Sequence, residues 1–106
     1  MTHNYEAQRR ETFDTFKQAG RGMRLPKTSM VAFEFFVEEL DADWDAFEKA
    51  LRVKGFKTKR GTDGETLIAT TGPIAVTPEA IWSEERVATE LALRFEFYPD
   101  GWELTD

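Results

Sequence analysis

Ser29-Met30-Val31-Ala32-Phe33-Glu34-Phe35-Phe36-Val37-Glu38 is the stretch on which the fold turns. Val31, Phe33, Phe35 and Val37 recur at every second position, the period of a strand that buries one face. Met30, Ala32, Glu34, Phe36 and Glu38 occupy the other face, which is half polar yet carries a phenylalanine. A central strand follows from this pattern, with something partly covering its back.

Downstream, Asp41 to Lys54 reads as a helix. Asp41 or Asp43 can cap it, and acids suit its first turn. Trp44, Phe47, Ala50 and Leu51 form its apolar stripe, and Gly55 stands where a helix-terminating glycine belongs. Phe56–Arg60 and Glu65–Thr71 read as two short strands joined through Gly61-Thr-Asp-Gly64, a hairpin loop with Asp-Gly turn chemistry. Gly72-Pro73 is expected to break the second of them. Thr77-Pro78-Glu79 then opens a helix with an N-cap, a proline at the first helical position and an early acid. Its predicted buried stripe is Ile81, Ala88, Leu91, Ala92 and Phe95, with Trp82 and Leu93 on a second face. Pro99-Asp-Gly101 reads as a turn, and Trp102-Glu-Leu104 as a last short strand.

Upstream, Asn4 to Ala19 is a helix with Asn4 as N-cap and a narrow stripe of Tyr5, Phe13, Phe16 and Ala19. Gly20-Arg-Gly22 and Leu25-Pro26 end it. The expected division is residues 1–28, helix and linker, followed by a domain over 29–106. The element order α–βαββαβ is that of an α+β, ferredoxin-like sandwich: a four-stranded antiparallel sheet with two helices on one face, plus the extra N-terminal helix. The first and last strands are expected at its centre.

The chain has 106 residues and 41% apolar composition, enough for one core. No apolar run approaches the roughly 18 residues of a membrane helix. The N-terminal residues contain no apolar stretch typical of a secretory signal. With no cysteine, disulfides, thiolate metal sites and cysteine nucleophiles are excluded together. A cytoplasmic location fits these features. The net charge of −6 disfavours bulk nucleic-acid binding, which rests on Lys and Arg meeting phosphate; a protein partner is expected instead.

Candidate chemistry is sparse. Asp41-Ala-Asp43-Trp-Asp45 resembles the opening of a calcium loop, but Ala46 replaces the needed glycine and Arg52 the needed bidentate glutamate, so capping explains these acids better. His3, the only histidine, lies in the N-terminal tail, a poor place for a general base. Glu84-Glu85 reads as a solvated helix face. No nucleophile motif or phosphate cradle is visible. The expectation is therefore no enzyme, no cofactor and no metal.

Charge is segregated along the chain. Seven acids and no base lie within 34–48, then six bases and no acid within 49–60. Helix-dipole complementarity and a Lys/Arg-guarded edge strand account for this pattern. Two opposed docking patches are the functional alternative, with Lys54, Lys57, Lys59 and Arg60 as the RNA-facing candidates. Tyr98-Pro-Asp-Gly-Trp-Glu103 is the most specific string, either a core-wedging turn or a source of interface anchors.

That string and the layout before it resemble the regulator of ribonuclease activity B family, the ribonuclease E inhibitor protein B-like proteins. The matching residues are Phe33-Glu34-Phe35-Phe36, Asp43-Trp44, Gly55-Phe56, Val76-Thr77-Pro78-Glu79, and Tyr98 with Asp100-Gly101-Trp102-Glu103; Pro99 interrupts the last. The likeness spans roughly 29–105. It implies a ferredoxin-like fold, no catalytic activity, and inhibition of ribonuclease E or its degradosome by protein binding. The residues expected to carry partner binding are Glu34, Phe36, Glu38, Asp41, Asp43, Trp82, Tyr98, Asp100 and Trp102. A small-ligand or homodimerising module and an RNA-binding domain are the alternative functions.

Overall fold

The computed structural model describes residues 3–19, 25–39 and 41–105. Its elements are α1 (Tyr5–Ala19), β1 (Thr28–Val37), α2 (Trp44–Val53), β2 (Lys57–Arg60), β3 (Thr66–Ala75), α3 (Pro78–Arg94) and β4 (Phe97–Thr105). The four strands form one antiparallel sheet in the order β2-β3-β1-β4. The fold is α+β, one such sheet with three helices.

The caps behave as their residue types dictate. Asn4 Oδ1 accepts the Ala7 N–H, Asp43 Oδ1 the Ala46 N–H and Thr77 Oγ1 the Ala80 N–H, at 2.9, 3.0 and 3.1 Å. The Gly20–Gly22 helix stop lies outside the described residues.

Alternation in β1 sorts the whole molecule. Val31, Phe33 and Phe35 are buried and face the helices. There they meet Leu67 and Ala69 of β3, Phe47 and Leu51 of α2, Ile81, Ala88 and Ala92 of α3, and Phe97 of β4. Phe47 sits at the centre, its ring 5.7 Å from Phe35 and 4.6 Å from Phe97. Aromatic contacts of this kind contribute beyond area burial alone.

Three expectations are corrected. First, the last strand is not central: β1 and β3 are, and β4 is an edge. The edges hold the strands least suited to pairing on both sides. β2 is four residues rich in Lys and Arg, and β4 contains Pro99, which lacks a ladder donor. Second, Gly72-Pro73 does not end β3. Ser29 pairs with Ile74 and Val31 with Thr71, so β3 carries one extra residue there and the proline is absorbed in a bulge. Third, Pro99-Asp-Gly101 is not a turn before a short strand. Phe33 pairs with Trp102 and Phe35 with Pro99, so Asp100 and Gly101 together oppose Glu34 inside a nine-residue β4.

Gly72 is required at its bulge. Its φ is +127°, and a Cβ there would lie 2.8 Å from the Ser29 carbonyl oxygen and 3.0 Å from the Met30 Cα. Gly64, with φ +74°, faces open space. Gly64→Ala should therefore cost about 1 kcal/mol of stability, from the left-handed backbone alone. Gly72→Ala should cost clearly more, roughly 2–3 kcal/mol, because rigid backbone must move as well. Urea titration of the two variants beside the parent checks this order.

Candidate functional site

α1 joins the domain through polar side chains. Its buried residues are Gln8 and Thr12, not the narrow aromatic stripe, whose Tyr5, Phe13 and Phe16 stay half-buried. Thr12 Oγ1 donates to Glu85 Oε1 at 2.5 Å and accepts from Trp102 Nε1 at 3.1 Å. Gln8 Nε2 donates to Thr89 Oγ1 at 2.9 Å and to Glu85 Oε2 at 3.3 Å. Gln8 Oε1 pairs with His3 Nε2 at 2.7 Å. Phe16 stacks on Trp102 with ring centroids 5.9 Å apart. α1 is thereby fixed to α3 and to the β4 edge, on the same side of the sheet as α2 and α3.

Glu85 corrects the expectation of a solvated Glu84-Glu85 face. It is 5% exposed. Its spacing gives the reason: position 85 lies four after Ile81 and three before Ala88, on the buried stripe. Burial pushes its carboxyl up to about 7 and the neighbouring Glu11 adds to the rise, against the opposing hydrogen bonds from Thr12 and Gln8. Above it opens a polar cleft of about 440 Å³ lined by residues including His3, Glu11, Asp100 and Gly101.

The opposite face of the sheet has no helix against it among the described residues. Strand register places its side chains in rows. Lys57, Thr70, Ala32 and Glu103 form one row across all four strands. Lys59, Ile68 and Glu34 form the next, and Thr66, Phe36 and Tyr98 the third. Phe36 and Tyr98 have ring centroids 5.6 Å apart. Phe36 is half-buried against Tyr98, which is 36% exposed. The expected cover on the back of β1 is thus a cross-strand neighbour and not a further layer.

The residues expected to bind a partner divide accordingly. Glu34, Phe36 and Tyr98 come together on the open face. Glu38 and Asp41 are exposed between β1 and α2. Asp43 caps α2. Asp100 lines the Glu85 cleft. Trp102 is held by Thr12 and Phe16. Trp82 lines a separate surface groove beside Arg9, Phe13 and Arg86.

The charge runs meet each other in part. Arg60 donates from Nε to Glu48 at 2.5 Å and from Nη2 to Asp45 at 2.8 Å, and its guanidinium lies 5.2 Å from the Trp44 ring centre. The hydrogen bond to Glu48, followed by the pairing with Asp45, raises the Arg60 pKa further above its ordinary value. Arg52 also reaches Glu48, at 3.6 Å. All four RNA-facing candidates are exposed, but only Lys54, Lys57 and Lys59 are outside the ion pairs found among the described residues.

No model of a known protein family matches this chain, and no curated protein does. Among the described residues, no helix is long and apolar enough to cross a membrane, and no group of three or more His, Cys, Asp or Glu side chains is placed to hold a metal ion.

The buried carboxyl has a consequence for stability. Between pH 4.5 and about 7 the folded protein holds a proton on Glu85 that the unfolded chain has released. Its contribution is therefore complete below pH 4.5 and is lost as pH rises through about 7, with a magnitude on the order of 3 kcal/mol. Glu85→Gln, which mimics the protonated side chain, should flatten this fall and be more stable than the parent at pH 8. Urea unfolding of both proteins at pH 5 and pH 8 checks the sign.

Proposed function

We propose that this protein is a non-enzymatic regulator that acts by binding another protein, with ribonuclease E as the partner implied by the sequence resemblance. The observation that supports the reading is the acidic–aromatic corner of the open sheet face. Glu34, Phe36 and Tyr98 stand there together, free of any covering element among the described residues, with exposed Glu38 just beyond the end of β1. Half-exposed aromatic side chains serve as desolvated anchors. Neighbouring carboxylates steer a basic segment of the partner and raise the on-rate more than the affinity. The acids best placed for steering are Glu34, Glu38, Glu39 and Asp41, because Asp45 and Glu48 are engaged by Arg60. In this reading the catalytic work belongs to the partner, and RNA turnover changes because the partner is occupied.

We also infer the ferredoxin-like class for the βαββαβ part. Read from its other edge, the strand order is β4-β1-β3-β2. The β1-α2-β2 and β3-α3-β4 connections then each cross one intervening strand, as in the split βαβ arrangement.

Immobilised ribonuclease E should capture the parent protein and lose cleavage activity in its presence. Phe36→Ala combined with Tyr98→Ala should weaken capture at least about tenfold, the effect of removing a central anchor pair. Glu34→Lys should mainly slow association. Absence of capture and unchanged cleavage at micromolar protein would remove ribonuclease E as the partner.

A further inference from the structure

We infer that the open sheet face also receives a second copy of this chain, in one orientation that its charge rows select. The four residues of the first row run Lys57, Thr70, Ala32, Glu103, from one sheet edge to the other. The base and the acid are three strand spacings apart, about 14 Å, too far to satisfy each other. Neither is in an ion pair among the described residues, whereas Arg60 on the opposite face of β2 is paired twice.

Two such faces can be stacked about a two-fold axis in the interface plane in two simple ways. An axis running across the strands lays β2 over β2 of the second copy and brings lysine onto lysine. An axis parallel to the strands, between β3 and β1, lays β2 over β4. Lys57 then faces Glu103 of the other copy, and Glu103 faces its Lys57. Thr70 and Ala32 meet reciprocally at the centre, where Ala32 is itself only 3% exposed and adds little contact area. In the next row Ile68 falls on Glu34 of the other copy with Lys59 one strand away, and in the third Thr66 covers Phe36. The face is therefore self-complementary in the isologous sense, and like charges oppose the alternative register.

The size of the face sets the strength. Four strands by about seven residues give about 450 Å² per copy, and about 900 Å² in total. That is the range of weak, exchanging contacts and not of obligate dimers. Such a dimer covers Phe36 and Tyr98. Where partner docking uses that corner, self-association and docking exclude each other, and the dimer is a reserve that opens when the partner arrives.

Sedimentation velocity over a concentration series in low salt tests the inference. The parent should show concentration-dependent dimerisation that weakens as salt is added. Lys57→Glu alone places acid on acid, and Glu103→Lys alone places base on base. Each should weaken association about tenfold. An equal mixture of the two single variants should dimerise again, because every cross-copy pair is then opposite in sign. Both positions are exposed, and circular dichroism verifies that the variants fold. A parent that stays monomeric overturns the inference, and so does association unaffected by the single reversals or not restored by mixing. Capture of ribonuclease E, measured separately on the same proteins, stands or falls independently of these outcomes.

Discussion

One side of one sheet does all the hydrophobic work in this molecule. Val31, Phe33 and Phe35 point to the same face, as do Leu67, Ala69 and Phe97, and α2 and α3 pack over it. A single-sided layer fixes where everything else can go. α2 and α3 must return their chains to the same side, and α1, arriving first in sequence, finds only the flank of α3 and the β4 edge free. The other side of the sheet is left without a covering layer among the described residues, and it tolerates this because its rows are polar or short-chained except at Phe36, Tyr98, Ile68 and Met30.

The flank that α1 occupies explains its unusual interface. A helix placed beside α3 meets the margin of the core through Phe16, so its apolar burial is small and its orientation comes largely from directional bonds. Thr12 supplies two of them with one hydroxyl, donating to Glu85 and accepting from Trp102. Gln8 spans Glu85 and Thr89 with one amide nitrogen. No buried side-chain polar atom among the described residues is without a partner. A network this complete specifies one docking geometry, while a loss of any member leaves a buried group unsatisfied. Trp102 therefore belongs to the internal architecture, although its residue type equally suits an interface anchor.

Period and capping made most of the fold legible in the sequence. Strand β1, the ends of α2 at Asp43 and Gly55, and the Thr77-Pro78 start of α3 are local in origin, and local signals describe them. Strand order is not local. Locally, Pro99-Asp-Gly101 reads as a turn and Gly72-Pro73 as a break; the structure keeps both within strands by placing one extra residue at each bulge. Glu85 departs from its local signal for a related reason. Two adjacent glutamates look solvated, and only the four-residue step from Ile81 places the second one inward. Within the site, the pairing of Phe36 with Tyr98 depends on a register across 62 residues of sequence, which no local pattern encodes.

The charge runs show why linear segregation is a poor guide to surface potential. Asp45 and Glu48 lie close in space to Arg60 because α2 packs over β2, so much of the apparent opposition is cancelled on the helix-bearing side. What remains separated is set by strand order. Lys57 and Lys59 stand on one edge strand and Glu103 on the other, with Glu34 between, and a rigid sheet prevents the edges from approaching. Flexible charged segments would relax towards each other and leave no pattern to read. Held apart by the sheet's own spacing, these charges cannot pair with one another, and a surface with the same spacing and the opposite order is their best geometric match.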